Sequence, residues 1–381
     1  MMESPVHIGL IGPLPPPPGG MANQTLQLNE LLLRDGHRVE LVQMNAPYSP
    51  AWAGRIPVLR AGVRLLPYLW RLWRVAGKVQ LLHVMANSGW SWHLFAAPAI
   101  WVARLRGCPV VVNYRGGEAD AFLQRAVDWI RPSLRRSAAL LVPSGFLEAV
   151  FLKHGFGSTV VPNVINLERF GAAGADTAPS AARAPSVLVA RHLEPIYDNQ
   201  TALRAFALLA ARYPAAQLVI AGSGPEAGML AALADHLGIT QAVRFTGRLD
   251  NSAMAALYRE ADIMLNPSLV DNMPNSVLEA LAGGVAVVST DVGGVPYLVE
   301  HRRSALLVPP QNPQAMADAM FLLLGEPELK ERLRQAGLQL ADQYTWAQVR
   351  PRLLQVYRSV IEKANKANKA GGRSAAGGSK A

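Results

Sequence analysis

The sequence predicts an α/β protein with two doubly wound domains, each a parallel sheet covered by helices. Three observations lead to this prediction. The chain has 381 residues, which is more than a single hydrophobic core usually supports. Short apolar runs alternate with longer helical patterns, as is typical of parallel strands joined by crossover helices. This alternation occurs on both sides of a small-residue segment at 171–185, so two domains follow.

The predicted strands are short apolar runs, each too brief for a typical helix. In the first half they lie at 6–11, 39–43, 80–84, 109–113 and 139–142. In the second half they lie at 186–190, 217–221, 243–246, 263–267, 285–289 and 305–308. Helical patterns such as 199–212, 227–237 and 275–282 connect the strands of the second half.

The domain boundaries follow from composition. Residues 1–170 form the predicted first domain, and 171–185 (GAAGADTAPSAARAP) form an exposed linker of small residues. Residues 186–345 form the second domain. The last predicted helix, 346–364, is expected to return toward the first domain, and the Lys-, Ala- and Gly-rich end at 365–381 is expected to be disordered.

The amino-acid composition favours an ordered protein of the cytoplasm. Half of the residues are hydrophobic and 17% are charged, which favours large buried cores over disorder. Cys108 is the only cysteine, so neither a disulfide framework nor a cysteine-based metal site is expected. The N-terminal apolar run ends early at prolines, and the apolar segment 90–105 is short and interrupted by polar residues. We expect a cytoplasmic protein, peripheral at the inner face of the membrane.

The formal net charge of +10 is unevenly distributed. Residues 1–170 hold 17 Lys and Arg against 9 Asp and Glu, whereas 171–362 hold 15 against 18. A basic first domain indicates an anionic partner such as a membrane surface or a lipid phosphate. Nucleic acid is not expected, because no recognisable nucleic-acid-binding module accompanies the charge.

Residues 55–78 concentrate this charge, with six basic residues, no acidic residue, and Trp70 and Trp73. The segment is interpreted as an amphipathic element that lies on an anionic membrane. The alternative is an ordinary helix whose aromatic side chains pack on the first domain and whose arginines are solvated.

The most informative segment is 266–294, NPSLVDNMPNSVLEALAGGVAVVSTDVGG. Asp271 lies in a loop after a predicted strand, and a helix is expected to begin at Pro274 or Asn275. Backbone N–H groups at such a helix start can hold an anionic diphosphate or sugar hydroxyls. The candidate donor-binding residues of this loop are Asn272, Met273, Pro274, Asn275 and Ser276.

Carboxylates and glycines complete the segment. Asp271 and Glu279 are eight residues apart, and carboxylates accept hydrogen bonds from vicinal diols, so the pair could hold a sugar and a ribose together. The pair Gly283-Gly284 closes the helix. A second pair, Gly293-Gly294, follows the next strand, where the backbone is expected to approach a ligand closely.

This segment resembles the family 4 retaining glycosyltransferases of the GT-B fold, whose motif is an acidic residue, seven others and then Glu. The resemblance extends over most of the chain. It includes Pro18-Gly19-Gly20, Val160-Val161-Pro162-Asn163, the loop from Ala221 to Glu226 with Gly222, Phe245-Thr246-Gly247, and Tyr344-Thr345-Trp346. It implies two Rossmann-like domains that face each other across a cleft, with the acceptor on the first domain and the nucleotide sugar on the second. It also implies that Glu279 contacts the donor ribose and that residue 271 lies by the transferred sugar.

Three departures from the family pattern concern the site. Asp271 stands where the family usually has Glu. Arg191 matches an arginine that neutralises the diphosphate, but the lysine that usually follows is absent, so Arg191, backbone N–H groups or Arg248 must neutralise it. Arg115 falls where many members have a histidine. Because arginine stays protonated, Arg115 is assigned to charge stabilisation or acceptor phosphate binding, with an ion pair to Glu118 as the alternative.

The predicted function is hexose transfer from a nucleotide sugar to a glycan or polyprenyl-linked acceptor, in polysaccharide or glycoconjugate biosynthesis. The resemblance implies retention at the anomeric carbon. The catalytic candidates are Asp271, Arg191 and Arg115, and the remaining donor-binding candidates are Gly19, Gly20, Gly222, Arg248 and Glu279. No cofactor or metal is expected, because the sequence shows neither a paired-Asp motif nor a His/Cys spacing. The alternatives are a non-catalytic scaffold with this fold or a nucleotide-sugar epimerase of the same architecture.

Overall fold

A computed structural model describes residues 4–16, 19–47, 57–171 and 184–377 of the chain. It divides into two compact units. The first comprises Met1–Pro162 and Arg350–Ala381, and the second comprises Asn163–Val349. Each unit is built on one six-stranded sheet with parallel strand pairs. The predicted fold class, an α/β protein with two doubly wound domains, is confirmed.

The sheet of the first unit has the strand order β2-β1-β3-β4-β5-β6. Its strands are short apolar runs, and β3 and β4 are buried along their whole length, as expected for strands covered by helices on both faces. The strands are β1 (His7–Gly12), β2 (Arg38–Gln43), β3 (Leu81–Ala86), β4 (Val110–Tyr114), β5 (Ala139–Val142) and β6 (Thr159–Val160). The helices are α1 (Gly20–Arg34), α2 (Pro57–Ala76), α3 (Ala97–Leu105), α4 (Ala119–Leu134) and α5 (Gly145–Lys153).

The sheet of the second unit has the order β12-β11-β10-β7-β8-β9. The first strand of this unit therefore lies in the middle of the sheet, and the chain moves outward on one side before it returns to the other. This is the order of a dinucleotide-binding sheet, and its switch point lies between β7 and β10. The strands are β7 (Ser186–Val189), β8 (Gln217–Ala221), β9 (Val243–Gly247), β10 (Ile263–Asn266), β11 (Ala286–Thr290) and β12 (Leu306–Val308).

The helices of the second unit cover both faces of its sheet. Apolar side chains of α7 and α11 form one core with the strands, and those of α9 and α10 form another. The helices are α6 (Leu167–Phe170), α7 (Asn199–Arg212), α8 (Ala227–His236), α9 (Asn251–Glu260), α10 (Asn275–Ala282), α11 (Pro313–Gly325) and α12 (Pro327–Asp342). The last helix is α13 (Trp346–Gly377).

Two boundaries differ from those drawn on the sequence. The chain passes from one unit to the other after Pro162, because α6 contacts α9 and α10, and Ile165 and Phe170 are buried in the core of the second unit. Most of the expected linker at 171–185 lies outside the described residues. Helix α13 continues to Gly377, into the segment expected to be disordered, which contains the good helix formers Ala and Lys.

Helix α13 is part of the first unit from Arg350 onward. Its Tyr357 is fully buried against His83 of β3. Arg350 pairs with Asp35 at the end of α1, with its Nε 2.8 Å from the carboxylate. In the described part of the chain, no helix has both the length and the apolar character needed to cross a membrane.

Candidate functional site

The candidate donor site lies at the switch point of the second sheet. Arg191 follows β7, and the loop that contains Ser268 and Asp271 follows β10. These two strands are neighbours in the sheet. In open α/β sheets, ligands bind at the carboxyl ends of the strands where the strand order reverses, so the fold brings these residues to the expected place.

Arg191 is the centre of the site. Its Nε and Nη2 donate to Ser268 Oγ, at 3.1 and 2.7 Å, and its Nη1 donates to Ser276 Oγ at 3.3 Å. Its Nη2 also forms an ion pair with the carboxylate of Asp271. The Tyr197 ring lies 4.4 Å from the guanidinium carbon. Burial lowers the pKa of Arg191 to about 10, so the side chain remains charged at neutral pH.

The loop with Asp271 is held by its own backbone and by two glycines. Asp271 Oδ1 accepts from the Asn272 N–H at 2.9 Å, and the Asp271 carbonyl accepts from the Gly294 N–H at 2.9 Å. A side chain on Gly293 would collide with the carbonyl of Asp271, and one on Gly294 with the carbonyl of Asn272. In the structure these two glycines therefore pack directly on the Asp271 loop, whereas the sequence interpretation placed them against a ligand.

The start of α10 is attached to the beginning of the second unit by Asn163. The Nδ2 of Asn163 donates to the Met273 carbonyl at 3.0 Å and to Asn275 Oδ1 at 2.8 Å, and its backbone N–H lies 3.3 Å from Met273 Sδ. Pro274 is the N-cap residue and offers no side-chain hydrogen bond to the helix. The N-terminal end of α10 thus meets the Arg191 cluster through Ser276, where the helix dipole favours an anion.

Glu279 lies one turn inside α10. Tyr258 of α9 donates a hydrogen bond from its hydroxyl to Glu279 Oε2 at 3.0 Å. Burial raises the pKa of Glu279 to about 7, although this hydrogen bond and the charges of Arg191 and Arg169 act in the opposite direction. Burial, together with the charge of Glu279, keeps the pKa of Tyr258 well above its usual value, so Tyr258 is a permanent donor.

The loop that follows β8 lies beside Arg191. A side chain on Gly222 would collide with the Arg191 carbonyl. The Leu193 N–H donates to the Ser223 carbonyl at 3.1 Å, and the Leu193 carbonyl accepts from the Glu226 N–H at 3.0 Å. Gly222 thus allows two strand ends to approach each other. Arg248 is exposed and follows β9, the edge strand two positions from β7.

Two predicted site elements belong to the first unit. Gly19 is the N-cap of α1 and Gly20 is its first residue, and a Cβ at either position would meet no atom of the described residues within 4 Å. Pro18 lies outside the described residues. Gly19 has no side chain, so it makes no side-chain cap to the N–H groups at the start of α1.

Arg115 follows β4 and begins a chain of buried hydrogen bonds. Its Nε donates to Asn113 Oδ1 at 3.2 Å. Asn113 Nδ2 lies 3.1 Å from His83 Nε2, and His83 Nδ1 lies 2.7 Å from the hydroxyl of Tyr357. Burial and the nearby Arg115 lower the pKa of His83 to about 3, so the imidazole is neutral. Burial lowers the pKa of Arg115 to about 10, and it remains charged. His83 is thus a packed, hydrogen-bonded histidine.

The structure brings several predicted residues together in the candidate donor site and shows further residues that the sequence did not predict. Arg191, Asp271 and Ser276 form one cluster, with Asn272, Met273, Pro274, Asn275 and Glu279 in the adjoining loop and helix. Ser268, Tyr258 and the role of Asn163 were missed. Tyr258 resembles a core residue in the sequence, and only its buried hydroxyl beside Glu279 reveals its part in the site. Among the described residues, no group of three or more His, Cys, Asp and Glu side chains could hold a metal ion.

Comparison with known proteins gives relatives that match along nearly the whole chain or along part of it. The chain is 26% identical to a phosphatidyl-myo-inositol mannosyltransferase of Mycobacterium leprae over 392 residues, covering 95% of this chain and 99% of the relative. It is 34% identical to a D-inositol 3-phosphate glycosyltransferase of Corynebacterium urealyticum over 165 residues, which are 42% of this chain and 39% of the relative.

Solved structures share the fold. Sucrose-phosphate synthase from Thermosynechococcus elongatus matches with a TM-score of 0.73 and 22% identity, over 94% of this chain and all of that chain. HepE of Anabaena, in complex with UDP, matches with a TM-score of 0.70 and 17% identity, over 93% of this chain and all of that chain.

Two family models cover most of the sequence. Residues 18–169 match the model Glycosyltransferase Family 4, and residues 178–340 match Glycosyl transferases group 1. The chain therefore belongs to the family 4 glycosyltransferases of the GT-B fold.

Proposed function

We propose that the protein transfers a hexose from a nucleotide sugar to a glycan or polyprenyl-linked acceptor, with retention at the anomeric carbon and without a metal. The observation that carries this proposal is the buried Arg191, held by Ser268, Ser276 and Asp271 at the switch point of the second sheet. A fixed cation beside a helix N-terminus is suited to a diphosphate.

The chemistry requires charge stabilisation on the leaving group. When the bond between the anomeric carbon and the phosphate oxygen breaks, negative charge grows on the departing diphosphate and positive charge grows on the sugar ring. Arg191 and the N-terminus of α10 stabilise the phosphate side, and Arg191 takes over the role of the absent family lysine. Arg248 adds positive charge at the edge of the second sheet, and Gly19 and Gly20 remain candidates for donor binding.

The two acids hold the sugar part of the donor. Glu279 accepts hydrogen bonds from the ribose diol, and Asp271 lies by the transferred hexose. In a front-face reaction, the acceptor hydroxyl gives its proton to a phosphate oxygen of the leaving group, and its oxygen bonds to the anomeric carbon on the side that the diphosphate leaves. Arg115 binds an acceptor phosphate or stabilises charge near it.

The relatives support the class of donor and acceptor. One is named as a phosphatidyl-myo-inositol mannosyltransferase, and HepE was crystallised with UDP, with UDP and glucose, and with UDP-glucose. The HepE complexes support a nucleotide-sugar donor, and the name of the mannosyltransferase supports transfer of a hexose to a lipid acceptor. We place the reaction in polysaccharide or glycoconjugate biosynthesis, at the cytoplasmic face of a membrane.

A donor screen tests the proposal. Purified protein is heated with UDP-, GDP- and ADP-sugars, and the donor that raises the melting temperature is then incubated with lipid-linked acceptors, with and without EDTA. We expect one nucleotide class to stabilise the protein and sugar transfer to continue in EDTA. A non-catalytic scaffold would bind a nucleotide sugar without hydrolysing or transferring it, and loss of turnover in EDTA would contradict metal independence.

A further inference from the structure

Three neighbouring helices cover one side of the first sheet. Helices α2, α3 and α4 connect β2 to β3, β3 to β4 and β4 to β5, and these steps all run in the same direction across the sheet. Because such crossovers are right-handed, the three helices lie on the same side. Contacts between α2 and α3, and between α3 and α4, confirm that they form one layer.

The outer face of this layer is apolar and aromatic. Helix α2 buries Tyr68, Leu72 and Ala76 against the core, and its other side carries an exposed stripe. The exposed members of the three helices are Leu66, Trp70, Trp73, Trp101, Leu105 and Trp129, which we call the aromatic–basic face. Trp129 is 82% exposed and Leu66 is 70% exposed. Trp70 is 59% exposed and Trp73 is 45% exposed, whereas Tyr68 packs in the core, so the aromatic side chains of α2 are divided between the core and the surface.

Arginines join the helices of this face. Arg106, just after α3, lies 4.9 Å from the centre of the Trp73 ring of α2. Arg136, just after α4, lies 4.1 Å from the Trp101 ring, and the Trp101 indole N–H donates to Ser133 of α4 at 3.1 Å. Such cation–π pairs order the tryptophans at the surface. Each of these two pairs thus joins neighbouring helices of the layer.

The charge of α2 and α3 is one-sided. Residues 57–106, which include both helices, contain seven Lys and Arg and no acidic residue. Helix α4 is balanced, with two arginines and two aspartates, and Arg135 and Arg136 follow it. Basic side chains next to exposed Trp and Leu match the two layers of an anionic membrane surface, which offers phosphates outside and acyl chains below. We propose that the aromatic–basic face binds an anionic lipid bilayer, with Trp70, Trp101 and Trp129 inserted at the headgroup level.

This proposal goes beyond an amphipathic segment at 55–78, because α3 and α4 supply half of the apolar members. It concerns how the protein is held at a membrane, and it does not depend on the proposed reaction. Residues 55 and 56 lie outside the described residues and contribute nothing to the argument.

Vesicle co-sedimentation of the full chain tests the face without any donor or acceptor. The vesicles are phosphatidylcholine alone, or phosphatidylcholine mixed with phosphatidylglycerol. We expect binding to the anionic vesicles that weakens as salt is raised. The double variant Trp70→Ser/Trp129→Ser should bind about tenfold more weakly, because it removes two apolar anchors. Arg106→Gln/Arg136→Gln should lose about fivefold for each charge removed.

Matched controls lie elsewhere on the surface. Leu33 of α1 is half exposed, and α1 connects β1 to β2 in the opposite direction, so it lies on the other side of the sheet. Tyr297 is exposed in the second unit. Leu33→Ser and Tyr297→Ser should bind vesicles like the unaltered protein, and circular dichroism should show that every variant is folded.

Four results would overturn the proposal. These are failure of the unaltered protein to bind anionic vesicles, equal binding to neutral vesicles, retained binding by both double variants, or equal loss in the controls. Sedimentation velocity covers a further outcome: if the unaltered protein self-associates and Trp70→Ser/Trp129→Ser is a monomer, the face is an interface between copies of the chain. Because the experiment measures binding to lipid, its result does not depend on whether the protein has transferase activity.

Discussion

Two buried arginines follow strand ends in the two units, and their surroundings differ. Arg191 lies in a charged cluster with the Asp271 carboxylate and two serine hydroxyls. Arg115 begins a chain of neutral groups, Asn113, His83 and Tyr357, which ends on the last helix. Burial lowers the pKa of both arginines to about 10. The comparison teaches that one arginine is oriented by a carboxylate and two hydroxyl groups, and the other by a scaffold of uncharged hydrogen bonds.

The largest effect is expected at Arg191. Arg191→Ala removes the cation from the diphosphate site and leaves Asp271 without its partner, so turnover should fall by about 10²- to 10³-fold. The shift in melting temperature caused by a nucleoside diphosphate should also disappear. Arg191→Lys should recover part of both, because it keeps the charge but not the fork of donors. Arg204→Ala, at an exposed position of α7, is the control. Unchanged donor binding in Arg191→Ala would contradict the proposed role of Arg191 in holding the diphosphate.

Substitution of Arg115 should affect the acceptor and not the nucleotide. Arg115→Ala should reduce turnover or acceptor affinity by about 10- to 100-fold, the value of a charged hydrogen bond, while the nucleotide-induced thermal shift is retained. Steady-state kinetics with varied acceptor measures this split. Arg38→Ala, at an exposed position of β2, should behave like the unaltered protein. Turnover and acceptor affinity that remain intact in Arg115→Ala would show that the residue serves only the structure.

Much of the fold could be predicted from the sequence, because buried parallel strands are continuous apolar runs. The structure places Ala139–Val142, Gln217–Ala221 and the helix Asn275–Ala282 at the predicted limits. The two-residue strand Thr159–Val160 is too short to show a pattern. The boundary between the units depends on where Ile165 and Phe170 pack, and local composition does not determine that.

The site was partly predictable for a related reason. Asp271 and Glu279 stand at a fixed spacing around a helix start, which a sequence shows directly. Tyr258 and Glu279 are 21 residues apart, and His83 and Tyr357 are 274 apart. Such pairs meet only through the packing of helices on sheets. The same holds for Gly293 and Gly294, whose need for glycine comes from the loop that lies against them.

A variant of Tyr357 tests whether the hydrogen bonds through Asn113 and His83 stabilise the first unit. Tyr357→Phe leaves the buried His83 Nδ1 without its hydroxyl partner, which should lower the free energy of unfolding by about 1–3 kcal/mol. Urea unfolding measures the loss. Acceptor turnover should fall less than in Arg115→Ala, and the nucleotide-induced thermal shift should remain. Tyr297→Phe, at an exposed tyrosine, should change none of these quantities. If Tyr357→Phe instead weakened only nucleotide binding, the two networks would not be separate.

The smallest effect is expected at Tyr258, and it appears as a change in pH dependence. Burial raises the pKa of Glu279 to about 7, and the hydrogen bond from Tyr258 lowers it. Tyr258→Phe should therefore raise the pKa further and leave less carboxylate at neutral pH to accept hydrogen bonds from the ribose. The acid limb of kcat/KM for the donor should move to higher pH. At pH 7 the loss should stay below about tenfold, since one hydrogen bond contributes about 0.5–1.5 kcal/mol.

The stability of the same variant gives an independent check. A carboxyl group with a raised pKa in the folded state contributes stability below its ordinary pKa of 4.5, and this contribution is lost as pH rises through about 7. In Tyr258→Phe the loss should extend to higher pH, and in Glu279→Gln it should be absent. Urea unfolding between pH 4 and 9 measures both. An acid limb that stays in place in Tyr258→Phe, with donor affinity unchanged, would show that Tyr258 packs beside Glu279 without tuning its charge.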